Sequence, residues 1–152
     1  MRKIPYGRQY ITDADIEAVV EALRSDFLTQ GPAVGQFEKA FADYCSADYA
    51  AAVANGTAAL HLAVLALGLQ PGGRVVTTPI TFAASANCVR YAGGEIDFSD
   101  IDPDTFLLDL DKLEKKLAAA PVGAYKGVIP VSLAGYPVDG ERLRKIADRY
   151  GL

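Results

Sequence analysis

Tryptophan is absent from this sequence of 152 residues, and histidine and methionine occur once each. Cysteine is nearly as scarce. Cys45 and Cys88 lie far apart and neither belongs to a Cys-x-x-Cys pair, which excludes a disulfide scaffold and a cysteine metal cluster. With His61 as the lone histidine, no Cys–His pair can be drawn to activate Cys88. Positive charge is in deficit: 15 Lys+Arg against 19 Asp+Glu give a net −4, with no basic block, a poor match to nucleic acid or an anionic membrane. The longest apolar stretch, Ala58 to Leu69, carries His61 and Gly68 and is too short to cross a bilayer. The N-terminus, Met1 to Arg8, has basic residues with no apolar run behind them, so it does not read as a signal peptide. No repeat or low-complexity tract occurs. What remains is a composition 51% hydrophobic and 22% charged, in a length that buries one core. The expectation is a soluble, cytoplasmic α/β domain with no nucleic-acid or membrane partner.

Helical and strand patterns alternate along the chain. Thr12 with Asp15 three residues later forms a short capping box, and Ile16, Val19, Val20 and Leu23 then recur on one helical face, ending near Ser25. Pro32 suits a first-turn proline, and Val34, Phe37, Phe41 and Tyr44 follow at spacings of three and four. From Ala50 to Ala54 a small-residue run predicts a buried strand. Asn55-Gly56-Thr57 interrupts it, and Ala58 to Leu69 predicts a helix. Strands are then expected at Val75–Thr78, Glu95–Phe98 and Gly127–Val131, and helices at Thr81–Tyr91, Leu110–Ala119 and Gly140–Tyr150. This rhythm predicts a parallel sheet with helices on its faces. It ends at Tyr150-Gly151-Leu152, where the next element would be another strand. The chain therefore reads as the first piece of a longer protein, with a natural terminal helix and short tail as the alternative.

The strongest chemical signal is the turn at Asn55-Gly56-Thr57-Ala58-Ala59. A glycine with positive φ would turn the backbone tightly, and the following N–H groups would be the unpaired first-turn donors of a helix. Such a place receives phosphate, although an ordinary βα turn has the same composition. It matches neither a Walker A loop nor GxGxxG. Phe82, beyond the end of the next strand, could lie on a planar ring bound near that turn, or simply fill the core. His61 lies on an apolar stretch and is expected to pack. Asp100, Asp102 and Asp104 imitate the start of a calcium loop, but Pro103 and the missing sixth-position glycine spoil it.

Taken in order, these pieces resemble the DegT/DnrJ/EryC1/StrS family of sugar aminotransferases. The resemblance rests on Leu28-Thr29-Gln30-Gly31-Pro32, Phe37-Glu38 and Asn55-Gly56-Thr57-Ala58-Ala59-Leu60-His61. It continues through Pro71-Gly72, the run Thr78 to Asn87, Asp100-Ile101-Asp102, and Gly135 with Asp139. Tyr6 and the run Thr77 to Phe82 look most like the transaminases that form UDP-4-amino-4,6-dideoxy-N-acetyl-altrosamine in the pseudaminic acid pathway. The resemblance implies the N-terminal part of a fold type I large domain of the pyridoxal-phosphate-dependent transferases, three-layered with a mostly parallel sheet. Residues 1–31 would supply an N-terminal helix and a substrate-side segment, and residues 32–152 an incomplete cofactor-binding domain.

By the same resemblance Gly56, Thr57 and Ala58 would hold the phosphate of pyridoxal 5'-phosphate and Phe82 would stack on its ring. Tyr6, Asp26, Phe27, Leu28 and Thr29 would lie near a UDP-sugar, in a homodimer when the protein is full length. The reaction implied moves an amino group from an amino-acid donor, glutamate, to C4 of a nucleotide-linked 4-keto-6-deoxy sugar. Asn55 departs from the family's usual serine, and Gly73-Arg74 from its usual Asp-Glu. The family's lysine that bonds the cofactor, and the aspartate that keeps its pyridine nitrogen protonated, have no counterpart here. None of Lys39, Lys112, Lys115, Lys116, Lys126 or Lys145 lies in a motif like that lysine's, so no catalytic residue is assigned and the chain alone is expected to be inactive. The alternative is a stand-alone, non-catalytic domain that binds phosphate or cofactor.

Overall fold

The computed structural model describes residues 7–152, so the expectation placed on Tyr6 lies outside the described residues. Contacts divide the chain into two compact units, with the boundary between Ala52 and Val53.

The first unit holds two helices. In α1 (Asp13–Arg24) the capping box forms as predicted: the Asp15 carboxylate accepts from the Thr12 N–H at 2.7 Å, and the Thr12 hydroxyl accepts from the Asp15 N–H. Pro32 opens α2 (Pro32–Cys45), where its missing N–H costs nothing, and Ser46 closes it in a left-handed conformation with φ 53°. The apolar stripes read from the sequence are present, yet Ile16, Leu23, Phe37 and Phe41 are all exposed and only Ala42 of these helices is buried.

The second unit is a helix–sheet–helix sandwich. Its chain order is α3 (Gly56–Ala66), β1 (Arg74–Thr77), α4 (Ala84–Tyr91), β2 (Glu95–Phe98), α5 (Leu110–Ala119), β3 (Tyr125–Ile129) and α6 (Gly140–Tyr150), with a 3₁₀ turn at Leu133–Gly135. The sheet is parallel throughout, in the order β2-β1-β3, so the earliest strand is central. Alternate residues of β1 feed two cores. Val75 packs with Leu60 and Val64 of α3 and Cys88 and Val89 of α4. Val76 points to the other face, with Leu113 and Leu117 of α5 and Ile146 of α6. Burying a side chain such as Leu113, fully inaccessible here, is worth about 1.5–3 kcal/mol.

Three expectations are corrected. Residues 50–54 form no strand: a strand requires a ladder partner, and among the described residues no strand pairs with them. The Ala52 N–H instead donates to the Glu38 carboxylate at 2.8 Å. Second, α4 starts at Ala84 rather than Thr81, because the chain leaves β1 through Pro79 and a bend that Thr81 and Ser85 hold with a hydroxyl–hydroxyl bond of 2.7 Å. Third, β3 ends at Ile129 because Pro130 has no N–H to continue a ladder. Among the described residues no helix is long and apolar enough to cross a membrane.

Candidate functional site

Connectivity fixes which end of the second unit collects the candidate groups. Helix α3 ends shortly before the amino end of β1, and α4 begins just past its carboxyl end. Both helices lie on the Val75 face and run against β1, so both begin at the carboxyl end of the sheet, where open parallel sheets bind ligands. The structure thus brings the Gly56 turn and Phe82 to the same end of the same face. Asp26, Phe27, Leu28 and Thr29 belong to the first unit, where all four are exposed in a non-helical turn. That turn is tight: a Cβ on Gly31 would lie 2.7 Å from the Phe27 Cβ.

At the start of α3, Asn55 is the N-cap. Its side-chain oxygen accepts from the Ala58 N–H at 2.9 Å, and its carbonyl accepts from the Ala59 N–H at 3.1 Å. The helix therefore offers the N–H groups of Gly56 and Thr57, which have no intrahelical acceptor, while the Ala58 donor is already engaged. No acidic residue lies in this first turn, so the positive end of the helix dipole is not neutralised locally.

Gly56 corrects a further expectation. Its φ is not positive, since it is the first residue of the helix and not the corner of a turn. A Cβ built there would meet nothing within 4 Å. What glycine provides is clear space before two free donors, and this suits close approach by a phosphate. The residues present fit that group.

Phe82 settles the choice between core and surface: it is 78% exposed. Its ring lies outside the hydrophobic clusters, immediately before α4, with its carbonyl accepting from the Ser85 N–H at 3.0 Å. His61 packs as expected, half-buried and edge-on to Tyr91 with ring centroids 5.5 Å apart. Cys88 is buried, its thiol donates to the Ser85 carbonyl, and burial pushes its pKa up, so it is a structural thiol.

The aspartate run after β2 is a hydrogen-bonded loop. Asp102 accepts from the N–H groups of Asp104 and Thr105 and from the Thr105 hydroxyl, and Asp100 pairs with Lys112 at 3.0 Å. Among the described residues no three metal-type side chains gather. Sequence reading missed the Asn55 cap and the Thr81–Ser85 bond. Both had a signal: Asn three residues before a helical N–H, and two hydroxyl residues four apart.

Comparison with known proteins gives a consistent outcome. The family model described as the DegT/DnrJ/EryC1/StrS aminotransferase family matches residues 9–152. The spore coat polysaccharide biosynthesis protein SpsC of Bacillus subtilis is 40% identical over 149 residues, covering 98% of this chain and 37% of that protein. The aminotransferase from Psychrobacter cryohalolentis superposes with a TM-score of 0.84 at 34% identity, covering 97% of this chain and 37% of its own. NtdA from Bacillus subtilis, solved with bound cofactor PMP, superposes at 0.81 with 36% identity, over 93% of this chain and 33% of its own. The chain spans about a third of the length of these relatives.

Proposed function

Because the chain belongs to the DegT/DnrJ/EryC1/StrS aminotransferase family, we propose that it forms the phosphate- and ring-binding part of a pyridoxal-phosphate-dependent sugar aminotransferase. The substrate in this reading is a nucleotide-linked 4-keto-6-deoxy sugar, aminated at C4, with glutamate as donor. The observation that carries it is the convergence of two free helix donors, the open space before Gly56 and an exposed Phe82 at one end of the sheet.

The bound cofactor would supply the carrier for an amino group between donor and keto sugar. The residues of this chain hold it. The Gly56 and Thr57 N–H groups donate to phosphate oxygens, and the α3 dipole favours their charge. Ala58 contributes small size instead of a donor, because Asn55 has taken its N–H. Phe82 offers a flat apolar face that fixes the plane of the ring and keeps water from it. Asp26, Phe27, Leu28 and Thr29, with Tyr6, are assigned to the sugar side, in a site that a homodimer completes. A soluble, cytoplasmic enzyme belongs to the same reading.

In this reading the chain alone does not transaminate. Lys39 and Lys112 are paired with carboxylates in the exposed surface, and Lys116 is engaged with Asp97. Incubation with pyridoxal phosphate, borohydride reduction and peptide mapping tests this. The expected result is scattered, substoichiometric labelling; stoichiometric label on one lysine would overturn it.

A further inference from the structure

Two hydroxyl groups on the α5 face of the sheet have no role in the site above. Thr78 follows β1 and Ser99 follows β2; they are 0% and 2% exposed. Neither the Thr78 Oγ1 nor the Ser99 Oγ has a hydrogen-bond partner among the described residues. Leaving a buried hydroxyl unpaired is costly, so two of them side by side require a physical account.

Their juxtaposition follows from the ladder. Thr77 pairs with Phe98, and the Ser99 N–H donates to the Thr77 carbonyl at 2.9 Å, which places Thr78 opposite Ser99. Register partners on parallel strands point to the same face, here the face of Val76 and Asp97. The next ladder bond would run from the N–H of residue 79 to the Ser99 carbonyl. Residue 79 is proline and has none, so that carbonyl also lacks its sheet partner. Two unpaired hydroxyls and the Ser99 carbonyl therefore fall together at the carboxyl ends of β1 and β2, with the hydroxyls on the face where Val76 packs with Leu108 and Leu110.

We infer that Thr78, Ser99 and the Ser99 carbonyl form a binding site for one internal water, which bridges the carboxyl ends of β1 and β2. A water can accept from the hydroxyls and donate to the carbonyl, meeting the two to four polar partners that buried waters use. It extends the ladder by one rung at the point where Pro79 ends it, immediately before the bend that carries Phe82. The site is independent of the cofactor reading: it would stand if that reading failed.

The test is a high-resolution crystal structure of the chain together with a double-mutant cycle on Thr78→Val and Ser99→Ala. The expected density is a single peak about 2.7–3.0 Å from both hydroxyl oxygens. Each single variant should lower the thermal midpoint by roughly 2–4 °C, the shift for about one lost hydrogen bond in a chain of this size. The double variant should fall no further than the worse single, because the water is lost once. A direct Thr78–Ser99 hydrogen bond, a peak touching only one of them, a raised midpoint in either variant, or fully additive losses would overturn the inference. Should a variant fail to fold, the density of the unaltered chain decides alone.

Discussion

An alanine at position 56 would add a methyl group that touches none of the described residues, and this makes the residue informative. Gly56 has no positive φ, so Gly56→Ala restricts the unfolded chain without straining the folded one and should stabilise it by about 0.4–1 kcal/mol. The same methyl enters the space before the Gly56 and Thr57 donors, so affinity for inorganic phosphate should fall at least about tenfold. Thermal melts and phosphate titrations on the same samples would read opposite signs; a variant unchanged in both would remove Gly56 from the site. Asn55→Ala tests the neighbouring position. Losing the cap should cost about 1 kcal/mol of stability, measured by urea unfolding. At this scale the sequence disclosed the turn but not the glycine's reason. The notation Asn-Gly-Thr is the same for a positive-φ corner and for a helix start. Only the backbone distinguishes them.

Between elements, a polar cluster on the α5 face ties β2, β3 and α5 of the second unit together. The Asp97 carboxylate on β2 accepts from the Tyr125 hydroxyl of β3 at 2.6 Å and from the Lys116 ammonium of α5 at 2.9 Å, crossing over the central strand. Burial alone would raise the Asp97 pKa, but the bonds from Tyr125 and Lys116 outweigh it and hold the carboxyl below its ordinary value. Burial, with Asp97 second, raises the Tyr125 phenol. The signs then define a window. Asp97 contributes stability above its unfolded pKa of about 3.9, lost as pH falls through the lower folded value. Tyr125 contributes below about pH 10, lost as pH rises through its higher folded value. Stability should therefore sag at both ends, and Asp97→Asn should flatten the acid side when urea midpoints are measured from pH 2 to pH 7. An unchanged acid slope would contradict the assignment.

Elements were the most legible level. Glu95–Phe98, Leu110–Ala119 and Gly140–Tyr150 coincide with their predicted bounds, because each combines clear periodicity with a cap or a glycine pair. Residues 50–54 were misread for a physical reason: composition describes a residue's preference, whereas a strand is a property of a pair.

At the scale of the molecule, large apolar side chains stand exposed in both units among the described residues. Phe37, Phe41, Leu62, Leu65 and Phe82 are each about half exposed or more, and β2 and β3 each have one side without a ladder partner among the described residues. Such surfaces and edges favour association. Sedimentation velocity should show concentration-dependent association of the chain, reduced by Phe37→Lys with Phe41→Lys; a monomer at every concentration would contradict this. Fold class could be read from the sequence because the alternation of strands and helices is a local pattern repeated in order. The destination of the apolar faces could not, since an amphipathic stripe states that something covers it and not what.

In the proposed function this chain holds a cofactor phosphate on the Gly56 and Thr57 donors with Phe82 against the ring. The most direct test is titration with pyridoxamine phosphate, which has no aldehyde to react with surface lysines, followed by fluorescence or calorimetry. The expected result is saturable binding that inorganic phosphate competes away, weakened by Gly56→Ala through the phosphate and by Phe82→Ala through the ring. Binding indifferent to both substitutions, or absent altogether from the folded chain, would contradict it.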